Sequence, residues 1–99
     1  MKIAPENILC HELIGLQAKV LRHPDPSLEG LEGSIYWETR RTIVLSLGAK
    51  RITVLKPGLF LEIKLPSGEK VMVKGDDILE SPYDRAKRIV RGERCSASI

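Results

Sequence analysis

The sequence predicts a mainly β fold, a small six-stranded antiparallel barrel flanked by short N- and C-terminal α-helices. Three observations predict it. Six short segments alternate apolar and polar residues with period two, glycine or proline stands at most of the junctions between them, and helix signals occur only near the two ends. The 99 residues form one domain, 1–99, with a helix over 5–13, a barrel over 16–80, a basic helix over 82–91 and a tail over 92–99. A chain of this size buries roughly 60–68% of its unfolded surface, enough for one core and too little for a deep substrate cleft.

Each element has its own warrant. Pro5 suits a first helical position, Glu6 favours the positive end of the helix dipole, and Ile8, Leu9, Leu13 and Ile14 recur at helical spacing before Gly15. From Leu16 the period becomes two, with Leu16, Ala18 and Val20 opposite Gln17 and Lys19. His23-Pro24-Asp25-Pro26 ends that strand, because two prolines remove amide donors. Gly30 and Gly33 lead into Ser34–Glu38, where strict alternation places Trp37 on the face of Ile35, as a core residue. After Thr39-Arg40-Arg41, Thr42–Leu47 and Lys50–Leu55 form a hairpin about Gly48-Ala49. Pro57-Gly58 precedes the alternating run Leu59–Leu65, and Pro66-Ser67-Gly68 turns it into Lys70–Lys74. Ser81, Pro82 and Asp84 make a capping-box-like start for the last helix, which Gly92 stops. Its apolar Ala86, Ile89 and Val90 share one face, leaving Arg85, Lys87, Arg88 and Arg91 on a polar arc.

Composition narrows the function classes. The net charge is +3, and Arg85–Arg94 holds five basic residues against Glu93 alone, so this stretch carries +4 and the rest of the chain −1. That distribution suits a near-neutral domain with a cationic appendage. No apolar run approaches the roughly 18 residues of a membrane span, and the start lacks a secretory signal, so a cytoplasmic, non-membrane protein is expected. Cys10 and Cys95 form no metal or redox motif; they read as reduced thiols, with a bridge between the termini as the alternative.

No catalytic constellation is legible, and no metal site is expected. His11 and His23 are the general-base candidates, without the spacing of a triad or a ligand set, and a small self-sufficient ribonuclease using them is the weakest reading. Asp76-Asp77 reads as a turn, and no phosphate-binding glycine loop occurs. The basic helix can neutralise phosphates, while four aromatic residues favour recognition of folded RNA through phosphate and shape over base stacking.

Several motifs occur together in order. They are His11-Glu12-Leu13-Ile14-Gly15-Leu16, the pair Gly30 and Gly33, Glu38-Thr39-Arg40 with Thr42-Ile43, Leu65–Val71, Gly75-Asp76, and Pro82, Asp84, Arg85 and Lys87. Over residues 5–91 the chain thereby resembles the archaeal ribonuclease P protein component 1 family. The resemblance implies an Sm-like/SH3-like barrel and a noncatalytic RNA-binding subunit of the ribonucleoprotein that removes the 5′ leader from precursor tRNA. It implies as partners the ribonuclease P RNA, a zinc-binding second subunit called component 4 and, indirectly, precursor tRNA. This chain would bind no cofactor, and Mg²⁺ would sit at the RNA active site.

On that reading the expected RNA contacts are Arg40, Arg41, Lys56, Lys74, Arg85, Lys87, Arg88 and Arg91. Ile8, Leu9, Leu13 and Ile14 are expected to meet the protein partner or the barrel. Two motifs depart from the family pattern. Trp37 and Arg41 flank Glu38-Thr39-Arg40 where the family commonly has aspartate and asparagine, and Ser81 stands where it often has arginine. The competing reading is an Sm-like interaction module that forms homo-oligomers through its edge strands.

Overall fold

The computed structural model describes residues 2–97. Six antiparallel strands, β1 (Gln17–Arg22), β2 (Glu32–Glu38), β3 (Thr42–Leu47), β4 (Lys50–Leu55), β5 (Phe60–Lys64) and β6 (Lys70–Lys74), form one sheet in the order β4-β3-β2-β1-β5-β6. All six lie where alternation predicts them. Among the described residues no ladder joins β4 to β6, so hydrogen bonds do not close the sheet into a complete barrel. Its ends approach through packing instead. Gly75, directly after β6, lies so close to the Lys56 carbonyl, directly after β4, that no side chain fits between them.

The inward residues of the strands, including Val20, Ile35, Ile43, Leu45, Val54, Leu61, Ile63 and Val73, make one core. Each large aliphatic side chain enclosed there contributes about 1.5–3 kcal/mol. Ile8, Leu9 and Leu13 belong to the same core and are at most 1% exposed. Of the two contacts expected for them they make the one with the barrel, and the partner assignment of Ile8, Leu9 and Leu13 is corrected; Ile14 remains 37% exposed. The expected N-terminal α-helix is also corrected, since only a 3-10 turn forms, at Ile8–Cys10.

Strict alternation fails in two strands: late in β1, where Val20 pairs with Leu61 but Arg22 with Phe60 so that Leu21 is an extra residue, and, with the larger consequence, in β2. Ile35 pairs with Leu45 but Trp37 pairs with Val44, so Tyr36 is an extra residue and the strand changes parity there. Trp37 consequently turns outward, 55% exposed, and Glu38 turns inward at 3%. This reverses the core assignment of Trp37. At the other end, a disulfide joins Cys10 to Cys95 across a sequence separation of 85 residues, in place of the two reduced thiols expected. The Leu9 N–H donates to the Cys95 carbonyl at 2.9 Å and the Ala97 N–H to the Pro5 carbonyl at 3.1 Å, so the tail lies along the N-terminal segment. The rest of the 92–99 tail, beyond residue 97, falls outside the described residues.

The C-terminal helix is two short pieces, α1 (Pro82–Ala86) and α2 (Arg88–Arg91), meeting at Lys87. Ser81 accepts a hydrogen bond from the Asp84 N–H, as the cap signal predicts, and Gly92 ends the helix in the left-handed conformation, φ 71°.

Candidate nucleic-acid interface

Among the cations expected to meet RNA, two are enclosed. Glu38, brought inside by the bulge, receives Lys56 Nζ at 2.8 Å and Arg85 Nη2 at 2.7 Å. Lys56 also donates to the carbonyls of Ile78 (2.7 Å) and Glu80 (3.1 Å), and Arg85 to that of His11 (3.3 Å). Lys56 is 0% and Arg85 1% exposed, so neither reaches a phosphate, and both assignments are corrected. Their task is cohesion. Two cations share one carboxylate, and burial pushes the Lys56 ammonium and the Arg85 guanidinium below their ordinary pKa values against the pull of Glu38. Arg85 Nε and Nη1 are buried without hydrogen-bond partners among the described residues.

The helix therefore docks by its charged side. Arg85 enters the domain and Arg88 follows it, making an ion pair with Glu80 and donating to the Asp77 carbonyl. Arg91 is divided between Glu80 (3.2 Å) and Glu93 (2.9 Å), and Arg94 meets Asp77 at 3.4 Å. The apolar stripe expected to pack inward faces solvent: Ile89 is 50% and Val90 87% exposed. The physical reason is that a buried guanidinium needs a carboxylate, and Glu38 and Glu80 stand on the docking surface. Arg88 and Arg91 keep partly open side chains, but their charge is already answered within the chain.

Free positive charge lies elsewhere. In the turn after β2, the Thr39 N–H donates to the Thr42 carbonyl at 3.0 Å, the Thr42 N–H donates to Thr39 Oγ1 at 3.1 Å, and the two hydroxyls share a further hydrogen bond. The Lys56 N–H fixes the Arg41 carbonyl at 2.7 Å. This clamped turn presents Arg40 and Arg41 to solvent, and neither makes an ion pair among the described residues. On the same sheet, the Arg51 guanidinium lies 3.7 Å from the centroid of the exposed Tyr36 ring. Lys87 lies over Tyr83 at 4.2 Å, and half-buried Lys74 near Phe60 at 5.7 Å.

The two histidines are apart in role as well as in sequence. His23 Nε2 donates to the Leu55 carbonyl at 3.0 Å and Nδ1 accepts from the Asp25 N–H at 3.0 Å, which uses both nitrogens in fixing a loop. Among the described residues no three histidine, cysteine, aspartate or glutamate side chains are grouped to hold a metal ion. No helix among them is long and apolar enough to cross a membrane.

A sequence profile of the family described as "Ribonuclease P/MRP, subunit p29" matches residues 6–88, most of the chain. The chain belongs to the ribonuclease P/MRP subunit p29 family. Its relatives include the ribonuclease P protein component 1 of Desulfurococcus amylolyticus, 42% identical over 92% of this chain and 100% of that protein. That of Thermofilum pendens is 44% identical over 91% and 97%. The solved structure of Mth11, a homologue of the human RNase P protein Rpp29, superposes with a TM-score of 0.59 and 32% identity, covering 76% of this chain and 97% of that one. The resemblance read from the motifs is thus borne out, and it places this subunit p29 family member among the protein components of ribonuclease P. Among the described residues the exposed arginines without an ion pair are Arg40 and Arg41 on the β2–β3 turn, Arg51 on β4 and Arg22 at the end of β1, whereas the sequence by itself points to the C-terminal helix.

Proposed function

We propose that this chain is a noncatalytic RNA-binding subunit of ribonuclease P, which removes the 5′ leader from precursor tRNA. It stabilises the specificity domain of the catalytic RNA together with the zinc-binding component 4 and acts on precursor tRNA indirectly, in the cytoplasm. The supporting observation is the pair Arg40 and Arg41, held outward by a rigid turn with no carboxylate among the described residues to satisfy them. Guanidinium groups in that state bind phosphate oxygens through two parallel hydrogen bonds without first breaking an internal pair. Lys74 and Lys87 add two further cations. Four phosphate contacts give a logarithmic salt slope of about −3. The chemistry of cleavage stays with the RNA and its Mg²⁺. The exposed Ile14, Tyr83, Ile89 and Val90 supply apolar surface for component 4.

The test is cleavage of a precursor tRNA by the cognate ribonuclease P RNA at limiting Mg²⁺, with component 4 present and this protein added or omitted. Restored 5′ processing supports the reading, and unchanged cleavage with folded protein rejects it. One observation favours a second reading: among the described residues β4 and β6 each have one side with no strand pairing, so an Sm-like assembly of identical copies has edges to use. Light scattering on the isolated protein separates the two, since a ring is several protomers and the subunit reading expects one.

A further inference from the structure

We propose that the outer face of β2, β3 and β4, carrying Tyr36, Trp37 and Arg51, is a stacking site for unpaired RNA bases. The inference rests on the RNA-binding reading above and adds to it a mode of recognition and the residues that perform it. The bulge in β2 is the first observation. By inserting one residue it places two consecutive aromatic side chains, Tyr36 at 46% and Trp37 at 55% exposure, on the solvent side of the sheet. Bringing Glu38 inward requires the parity change, but nothing in that requirement calls for tryptophan at the preceding outward position.

The second observation is the Arg51 guanidinium, itself exposed, stacked 3.7 Å from the Tyr36 ring centroid. An arginine plane over an aromatic ring is the kind of surface on which bases of unpaired RNA stack. The third is charge. Arg40 and Arg41 border this face at the end of the sheet nearest Trp37, Arg51 borders it at the other, and none makes an ion pair among the described residues. The outward positions between them, Ser34, Thr42, Val44, Ser46, Thr53 and Leu55, include no acid. From Thr42 to Ser46 the strand runs about 13 Å, so cations for the backbone stand on both sides of the aromatic pair. A paired RNA helix hides its base faces and has no use for the aromatics, whereas an unpaired segment uses both features.

Trp37 is the single tryptophan of the chain, which makes the test direct. The full-length protein is titrated with an oligoadenylate of about 12 nucleotides, and separately with a fully paired RNA duplex of the same length, while its tryptophan emission is followed. The expected result is quenching by the single strand and none by the duplex. Tyr36→Ala should weaken single-strand binding by about 5- to 150-fold and leave duplex binding unchanged. Arg51→Ala should do the same to a smaller degree, and Arg40→Ala with Arg41→Ala should weaken both ligands. If the oligonucleotide binds without changing Trp37 emission and Tyr36→Ala has no effect, stacking is overturned while RNA binding stands. If neither RNA binds, both readings fall and the face is left to a protein partner.

Discussion

Arg85 Nη2 lies 2.7 Å from Glu38 Oε1, with both side chains closed to solvent. A residue that the basic helix offers as a phosphate contact is instead the peg that fastens that helix to β2. Lys56 takes the other oxygen of the same carboxylate, so the C-terminal helix, the segment after β4 and the bulged strand all meet at one acid.

Replacing that acid should be costly. Glu38→Gln leaves two cations enclosed without a counter-charge, and the loss of one partner from a buried pair typically costs about 3–5 kcal/mol. Urea unfolding of the variant measures it. A change below about 1 kcal/mol would show that the cluster relaxes into water and is not a fastening.

Gly75 should tolerate no side chain. Its Cα sits against the Lys56 carbonyl where the two ends of the sheet approach, so Gly75→Ala must push the backbone after β6 away from that after β4. Overpacking of this kind costs about 1–3 kcal/mol. Thermal unfolding should show a lowered Tm, whereas alanine at exposed Ser67, in the β5–β6 turn, should leave it nearly unchanged.

The bridge between Cys10 and Cys95 spans a separation of 85 residues. On the chain-entropy account a loop of that length stabilises the fold by about 4–5 kcal/mol. Unfolding with and without reductant measures the difference, and thiol alkylation of the unfolded, unreduced chain should label neither cysteine. Identical stability in the two conditions would remove the bridge from the account of the fold.

Arg40→Ala and Arg41→Ala should each reduce the logarithmic salt slope of RNA binding by about 1, with unchanged stability, because their side chains are exposed and make no ion pair among the described residues. Arg88→Ala should behave in the opposite manner, lowering the unfolding midpoint through loss of Glu80 and the Asp77 carbonyl while changing the slope little. A slope unaffected by Arg40→Ala and Arg41→Ala would move the interface back to the helix.

Much of this protein is written locally. Alternation, turn residues and capping signals place all six strands and both ends of the last helix, because each depends on neighbours within a few residues. The motifs also identify the family without coordinates. What the tertiary structure alone decided is which way particular side chains point. No glycine or proline marks the bulge at Tyr36, yet that one extra residue exchanges Trp37 for Glu38 across the sheet. Once Glu38 is inside, Lys56 and Arg85 must follow it, and Glu80 draws Arg88 and Arg91 in turn. The helix then presents its apolar side to solvent. A charge run states how many cations a segment carries, but whether each is free depends on carboxylates distant in sequence, from Glu38 to Arg85, that only folding brings within hydrogen-bond reach.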